Sequence, residues 1–494
     1  MLPPNYLEKV EKQAVNVYND LELEIIKQIS ERIANVGYAN TVVKNDILIA
    51  QEMGMLYSDI IELVSKYNKI SYEEISKIFE NAGIETIKND DKIYKEAGLN
   101  PIKIKQDKEM MKLLIASVNK TNSNLSNLTM TTASTGQTEF VNAMNRAYME
   151  VSTGVKSYSN AIIDAIDNLS SKGAVVKYPS GHQMSLESAA RMNIITGVNQ
   201  TCGKMQLLRA EELGWDLMEI TAHGGARPEH ASWQGKIVSR SGKKGYLSLD
   251  DIGYGKVTGF KGINCRHDWN PYFEGSSKTY TDEQLKKWQD ETIEYKGKKM
   301  TKYEASQVQR NMERVIRQDK KELAGIQGIL TSNNTDEKLI EDTKTKFARK
   351  TLYYNSHKKE LEEFTNAIES KSDRTRMYIG QPEKTIKTNM KAITQIANKY
   401  NSKIVGKKVN NFEIKEVSEH IISRTYARNL DFEDIQDTLN NPLDYGKIKI
   451  DNQGRKSINI YGKKVTVSIN PDTGKLATAR PTNKRELKRY EHKE

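Results

Sequence analysis

The feature that most constrains this chain is a Gly- and Pro-punctuated stretch near its middle. It runs Thr221-Ala-His-Gly-Gly-Ala-Arg-Pro-Glu-His230, then Ala-Ser-Trp-Gln-Gly-Lys236, and after further glycines Gly262-Ile-Asn-Cys-Arg-His-Asp-Trp-Asn-Pro-Tyr272. Gly224, Gly225 and Pro228 forbid a continuous helix between His223 and His230, since Gly is entropically costly in a helix and Pro lacks the amide donor. Three of the seven histidines, one of the two cysteines and two of the four tryptophans of the chain fall here. Cys265 and His267 are two apart and share a side if their segment is extended. His223, His230, Cys265 and His267 therefore form a donor set suited to tetrahedral Zn, and a closed site of this type is structural. The spacing matches no standard zinc finger. The alternative is a metal-free loop in which Arg227, Glu229, His230 and Asn264 hydrogen-bond the backbone while Trp233 and Trp269 plug a small core.

These residues also resemble the phage minor capsid protein 2 family, as does Ala190-Arg-Met-Asn-Ile-Ile-Thr-Gly-Val-Asn-Gln-Thr201. The resemblance implies a structural, portal-proximal head-morphogenesis protein, with portal and capsid proteins as partners, found in the virion and in the host cytoplasm during assembly. Arg191 could hold a carboxylate, although an Arg on an amphipathic helix is more often a surface or interface residue.

Around this centre the chain is patterned for helices. Apolar residues at helical spacing run from Tyr6 to Ala34, and Val43 to Tyr67 and Tyr72 to Phe79 repeat the pattern. Lys108 to Asn124 and Phe140 to Leu169 continue it, separated by Thr129 to Thr138, which is too rich in Thr, Ser and Gly for a helix interior and is expected to be a hinge or exposed loop. Beyond the central stretch, a helix capped at Thr281 is expected to reach Glu294 before a Lys-Gly-Lys-Lys turn, then Lys302 to Ala324, and Lys338 to Ile368 as a solvated or coiled spacer. A break at 373–383 containing Gly380 and Pro382 precedes a last helical run through Tyr400.

From about Ser402 the pattern changes. Glu416 to Asn429 and Asp431 to Leu439 read as helices, and Lys447 to Ile450, Ser457 to Ile460, Lys464 to Ile469 and Leu476 to Arg480 as short antiparallel strands joined by turns at Asn452-Gln-Gly, Tyr461-Gly and Pro471-Asp-Thr-Gly. The wording of Ser418 to Arg424 and Val465 to Pro481 resembles the phage barnase/EndoU/colicin/RelE-like nuclease domains. Metal-independent RNA cleavage needs an acid/base group and cations for the phosphorane charge. His420 is the candidate acid/base group, Arg424 lies four residues on along the same helix face with Arg428 beyond it, and Thr478 and Arg480 could complete a phosphate pocket. One histidine and two arginines are equally what a solvated basic helix presents.

The expected fold is mainly α, an elongated helical body at 1–220, with a small irregular/β Cys/His region at 221–276, a charged helical spacer at 277–401, a nuclease-like α+β unit with an antiparallel sheet at 402–482, of which about 405–482 is expected to fold alone, and a basic tail at 483–494. Only 37% of residues are hydrophobic and the mean hydropathy is −0.70, which favours a thinly packed shape over one globule. The net charge of +11 suits an acidic partner, RNA or packaged DNA among them, or a basic solvated surface without one. Cys202 and Cys265 give no disulfide framework, and no signal peptide or membrane segment is expected. No phosphate-loop, dinucleotide, H-E-x-x-H, G-x-S-x-G or C-x-x-C motif is present, which argues against ATPase, dehydrogenase and serine or zinc hydrolase chemistry. The alternative to a structural role is an effector whose capsid-like body positions a terminal ribonuclease toxin.

Overall fold

A computed structural model describes residues 6, 12–36, 42–333, 336–380, 384–451 and 454–491. Part of the first expected helix (7–11), Pro382 of the expected break, the 452–453 part of one expected turn and the last three residues of the tail lie outside them. Among the described residues the fold is mainly α, with small sheets and a C-terminal α+β region.

The body is built on α1 (Lys12–Val36), α2 (Val42–Glu96), α3 (Lys108–Ser152), α4 (Tyr158–Lys172) and α5 (Leu186–Glu212). Apolar residues three or four apart, Tyr18, Leu21, Ile25 and Ile29 on α1 and Leu56, Ile60 and Val64 on α2, all enter one core. The second and third expected segments are a single helix of 55 residues, roughly 80 Å long at 1.5 Å per residue. Caps delimit its neighbours: Asp107 accepts from the Met110 amide, and Ser157 and Ser185 cap α4 and α5 likewise.

The Thr-rich stretch expected to be a hinge or exposed loop lies inside continuous α3. Thr131 and Thr132 donate to the Leu128 and Thr129 carbonyls, which satisfies their protons within the helix, while the single Thr135 proton is shared between the Thr131 carbonyl at 3.0 Å and an acceptor outside the helix. The same hydroxyls dock β1 (Val175–Lys177), paired with β2 (Gln183–Ser185): Thr131 Oγ1 accepts from the Lys177 amide at 2.9 Å and Thr135 Oγ1 donates to the Val175 carbonyl at 2.7 Å.

The central region holds β3 (Leu217–Ile220), β4 (Ile237–Ser239) and β5 (Trp269–Pro271), a sheet ordered β4-β3-β5. After it, α6 (Asp282–Asp290) stops short of the expected Glu294, because Thr292–Tyr295 (β6) and Lys298–Thr301 (β7) form a hairpin. Lys296 and Gly297 occupy its turn at φ 50° and 76°, the conformation a two-residue hairpin loop requires.

Helix α7 (Lys302–Thr331) opens on a capping box of Thr301 and Glu304, and α8 (Glu337–Ala367) follows. Neither is a solvated spacer. Glu22 of α1 is paired with Arg317 and Lys321 at 2.7 Å each, and Arg317 also reaches Glu187 at 2.7 Å. All four side chains are buried, so the charges read as solvated in the sequence instead fasten α7 to the body. Of the two readings of Arg191, the carboxylate partner is the one found: it is buried, not on the surface, and donates to Glu187 Oε1 at 2.8 Å.

The C-terminal unit comprises α9 (Lys384–Lys403), β8 (Lys408–Val409), β9 (Phe412–Glu413), β10 (Glu416–Val417), α10 (Glu419–Ala427), α11 (Phe432–Asn440), β11 (Asp444–Tyr445), β12 (Lys449–Ile450), β13 (Lys456–Tyr461), β14 (Val465–Ile469), β15 (Lys475–Pro481) and α12 (Lys484–Glu491). Its main sheet is ordered β10-β15-β14-β13-β11, with β12 also on β13, and it is antiparallel except where β10 runs parallel to β15. The first residues of the expected helix at Glu416 are therefore strand, and the helix starts after the Ser418 cap. Its core is continuous with Leu323 and Ile326 of α7 and Phe347 of α8.

Candidate functional site

The central loop is held in shape from α5. Asn199 donates to the Cys265 carbonyl at 2.7 Å, Gln206 donates to the Trp269 carbonyl at 3.0 Å, and the buried Lys261 ammonium donates to Asn199 Oδ1 at 2.8 Å and to Asp268 Oδ1 at 2.7 Å. Asn199 belongs to the second stretch of family-like wording, so the two stretches are one structure. Gly259 and Gly262 permit the loop to fold on itself: a Cβ at either would lie 2.0 Å from the Gly253 carbonyl oxygen or 2.1 Å from that of Lys256.

Inside this frame His230, Cys265 and His267 are buried, with one ligating atom of each within 4.8 Å of the others. Cys265 Sγ stands 3.7 Å from His267 Nδ1. Nε2 of His230 lies 3.0 Å from the Thr258 carbonyl oxygen, and Nε2 of His267, the ring nitrogen other than the one facing Cys265, lies 3.2 Å from Gln234 Oε1. His223 stacks on His267 with ring centroids 4.6 Å apart, while its Nδ1 lies 3.1 Å from the Gly224 carbonyl oxygen. Trp233 closes the cluster, 4.5 Å from the His230 ring and 4.8 Å from that of His267. Burial lowers His230 to about 4 against the pull of its Thr258 bond, and burial with the neighbouring histidines lowers His267 well below the usual imidazole range. Burial raises the Cys265 thiol. The structure thus brings three of the sequence-predicted donors together and sets His223 beside them as a ring neighbour. It also places Trp233 and Trp269 in the small core of the metal-free reading, so the packing accommodates both readings.

The cluster borders a cavity of about 440 Å³ between the loop, α5, α7 and the 373–376 turn. Arg191, Arg227, Arg266, Arg310 and Arg376 line it, with Glu229 among them. Arg191 is oriented by Glu187, Arg227 by the Ile263 carbonyl at 2.7 Å and Arg376 by Asp373 at 3.4 Å. This arginine wall was missed in the sequence, because its members come from segments up to 185 positions apart (Arg191 and Arg376) with no shared motif.

In the C-terminal unit His420 is half-buried on α10, and its imidazole is lowered by burial and then by Arg424, Arg349 and Arg428. Arg424 is paired with Glu341 of α8 at 2.7 Å; Arg428 reaches the same carboxylate oxygen at 3.0 Å and donates to the Ala479 carbonyl at 2.9 Å. Arg480 is held by Glu486 of α12 at 2.6 Å. Thr478 and Arg480 flank Ala479, whose side chain is in the core, so strand alternation turns them to the other face of β15. His420, Arg424 and Arg428 are therefore together with Arg349, whereas Arg480 is tied to the terminal helix.

The sequence model of the family described as "Phage minor capsid protein 2" matches residues 2–357, which takes in the helical body, the Cys/His loop, α7 and most of α8. A Lactococcus phage LL-H protein described as "Structural protein" is 25% identical over 268 residues, 51% of this chain and 72% of that protein. No solved structure matches.

Proposed function

The chain belongs to the phage minor capsid protein 2 family, and we propose that it is a structural protein of the phage head, present in few copies near the portal. The observation that carries this reading is the extent of the family match, which covers the helices joined through Glu22, Glu187 and Arg317 and the loop they support. Portal and capsid proteins are the proposed partners, met in the host cytoplasm during assembly and retained in the virion. The net charge of +11 suits an acidic neighbour such as packaged DNA or an acidic ring of subunits. No described helix is long and apolar enough to cross a membrane. The test is quantitative mass spectrometry of gradient-purified particles and proheads: the protein is expected at a small fraction of the major capsid protein, and its consistent absence from both would overturn the proposal.

One observation favours a second reading for the C-terminal unit. A neutral imidazole at His420 amid Arg349, Arg424 and Arg428 is an arrangement that could bind RNA and move a proton. It is the weaker reading, because Glu341 occupies two of those cations and Glu486 holds Arg480.

A further inference from the structure

We infer that His230, Cys265 and His267 bind one zinc ion through three protein ligands, with the fourth coordination position facing the arginine-walled cavity. This goes beyond the head-protein reading and does not depend on it. The argument is geometric. In a tetrahedral site with Zn–S of about 2.3 Å and Zn–N of about 2.0 Å, the sulfur and nitrogen stand roughly 3.5 Å apart. Cys265 Sγ and His267 Nδ1 are separated by 3.7 Å. The whole triad spans no more than 4.8 Å, so small side-chain rotations close it on an ion.

The tautomers support the same conclusion. Nε2 of His267 faces an oxygen of Gln234 and Nε2 of His230 faces the Thr258 carbonyl oxygen, so each Nε2 carries the proton and donates it. Each Nδ1 is left with its lone pair as the ligating atom, the arrangement in which a carbonyl fixes a zinc-bound imidazole from behind. The surroundings are dry and aromatic on one side, where Trp233 and Phe260 pack, and polar on the other. Cys265 is absent from the cavity lining whereas His230 and His267 are part of it, which places the thiolate at the back and the vacant position at the front. His223 also lines the cavity, but it lies parallel to His267 at stacking distance and its ring nitrogens are outside the 4.8 Å cluster. The closed four-ligand site expected from the sequence thus becomes a three-ligand site with an exchangeable position, and the arginines favour an anion there. On binding, the Cys265 thiol loses its proton to solvent and forms the Zn–S bond.

The full chain, produced in zinc-supplemented medium and freed of loosely held metal, is expected to retain about one zinc per molecule by elemental analysis. After exchange for cobalt it should show a thiolate-to-cobalt charge-transfer band together with the visible bands of a four-coordinate ion. Cys265→Ser should abolish the charge-transfer band, and Cys202→Ala should leave it in place. His223→Ala should retain the metal. Titration of the cobalt protein with azide should shift the visible bands, reporting the open position. Zinc well below one equivalent, or a charge-transfer band that follows Cys202, would overturn the site. Loss of metal in His223→Ala together with bands unmoved by azide would overturn the three-ligand, open arrangement. Should Cys265→Ser fail to fold, the wild-type cobalt spectrum and the Cys202→Ala comparison decide the matter.

Discussion

At the scale of single residues, the charges buried between α1, α5 and α7 set the acid limit of the protein. Glu187 is depressed from 4.5 to about 2: burial opposes ionisation, and Arg317 and Arg191, with Arg376 beyond them, outweigh it. Glu22 is lowered in the same way, burial again opposed by Lys321 and Arg317. A carboxylate whose folded pKa lies below its unfolded value contributes stability that is present above the unfolded pKa and lost as the pH falls through the folded one. Denaturant unfolding should therefore show stability falling between pH 4.5 and about 2, with Glu187 alone accounting for about 3 kcal/mol. Glu187→Gln should be less stable by about 3 kcal/mol at neutral pH, since Arg191 and Arg317 stay buried, and its loss of stability in acid should be smaller. Similar acid profiles for variant and wild type would contradict this network. The same reasoning applies to Glu341, which neutralises Arg424 and Arg428. Labelled RNA incubated with the full chain in EDTA is expected to remain intact, and Glu341→Gln is expected to tighten RNA retention in a filter-binding assay; cleavage that disappears in His420→Ala would instead establish the ribonuclease reading. The gathering of His230, Cys265 and His267 was legible in the sequence because their types are rare in a Lys- and Glu-rich chain, whereas the sequence counted His223 as a fourth donor and the structure sets it beside the cluster as a stacked ring. A carboxylate partner for Arg191 was one of two open readings and Arg317 was not singled out, since the sequence does not record which charges meet a buried partner.

At the scale of elements, local pattern was readable wherever one face is apolar, and it misled where side chains of one class do another's work. The periodic apolar residues of α1 and α2 and the alternating strands β13 to β15 were legible for that reason. Propensity makes Thr129 to Thr138 a hinge or exposed loop, yet its hydroxyls bond their own helix and carry β1, a tertiary use that propensity does not encode. The β6–β7 hairpin was hidden inside a charged run, with Lys-Gly at its turn as the only local signal. Glycines within helices are informative in the same way. Gly325 of α7 faces α4 so closely that a Cβ would lie 1.8 Å from Ser170 Oγ, whereas Gly54 of α2 has nothing within 4 Å. Replacing an exposed helical Gly by Ala gains about 1 kcal/mol, while forcing a methyl into a filled contact costs about 1–3 kcal/mol. Thermal unfolding should therefore find Gly54→Ala more stable and Gly325→Ala less stable than wild type. Stabilisation by Gly325→Ala would mean that α4 and α7 are not in close contact.

At the scale of the whole molecule, the question is how the C-terminal sheet is attached. Composition suggests a spacer and a separate unit, because charge dominates 302–367 and β signals start near Ser402. The packing argues for attachment instead. Leu323, Ala324 and Ile326 of α7 and Phe347 and Ala348 of α8 share one apolar core with Ile421, Ile422, Leu476 and Ala479, and Tyr400 of α9 bonds Thr425 of α10 at 2.7 Å. Glu341 adds its two arginines to the same contact. Helix α7 is meanwhile anchored to the body by Arg317 and Lys321, so α7 and α8 couple the sheet to the body. Removing residues 402–494 would uncover the apolar faces of α7 and α8, and burial of each large aliphatic or aromatic side chain is worth about 1.5–3 kcal/mol. A chain ending at Asn401 is therefore expected to melt at a lower temperature than the full chain and to bind a hydrophobic dye that the full chain does not. Hydrogen exchange should show the added mobility first in α8, whose Phe347 would lose its cover. A truncated chain with unchanged melting and unchanged exchange in α8 would show that the sheet is an appended unit after all.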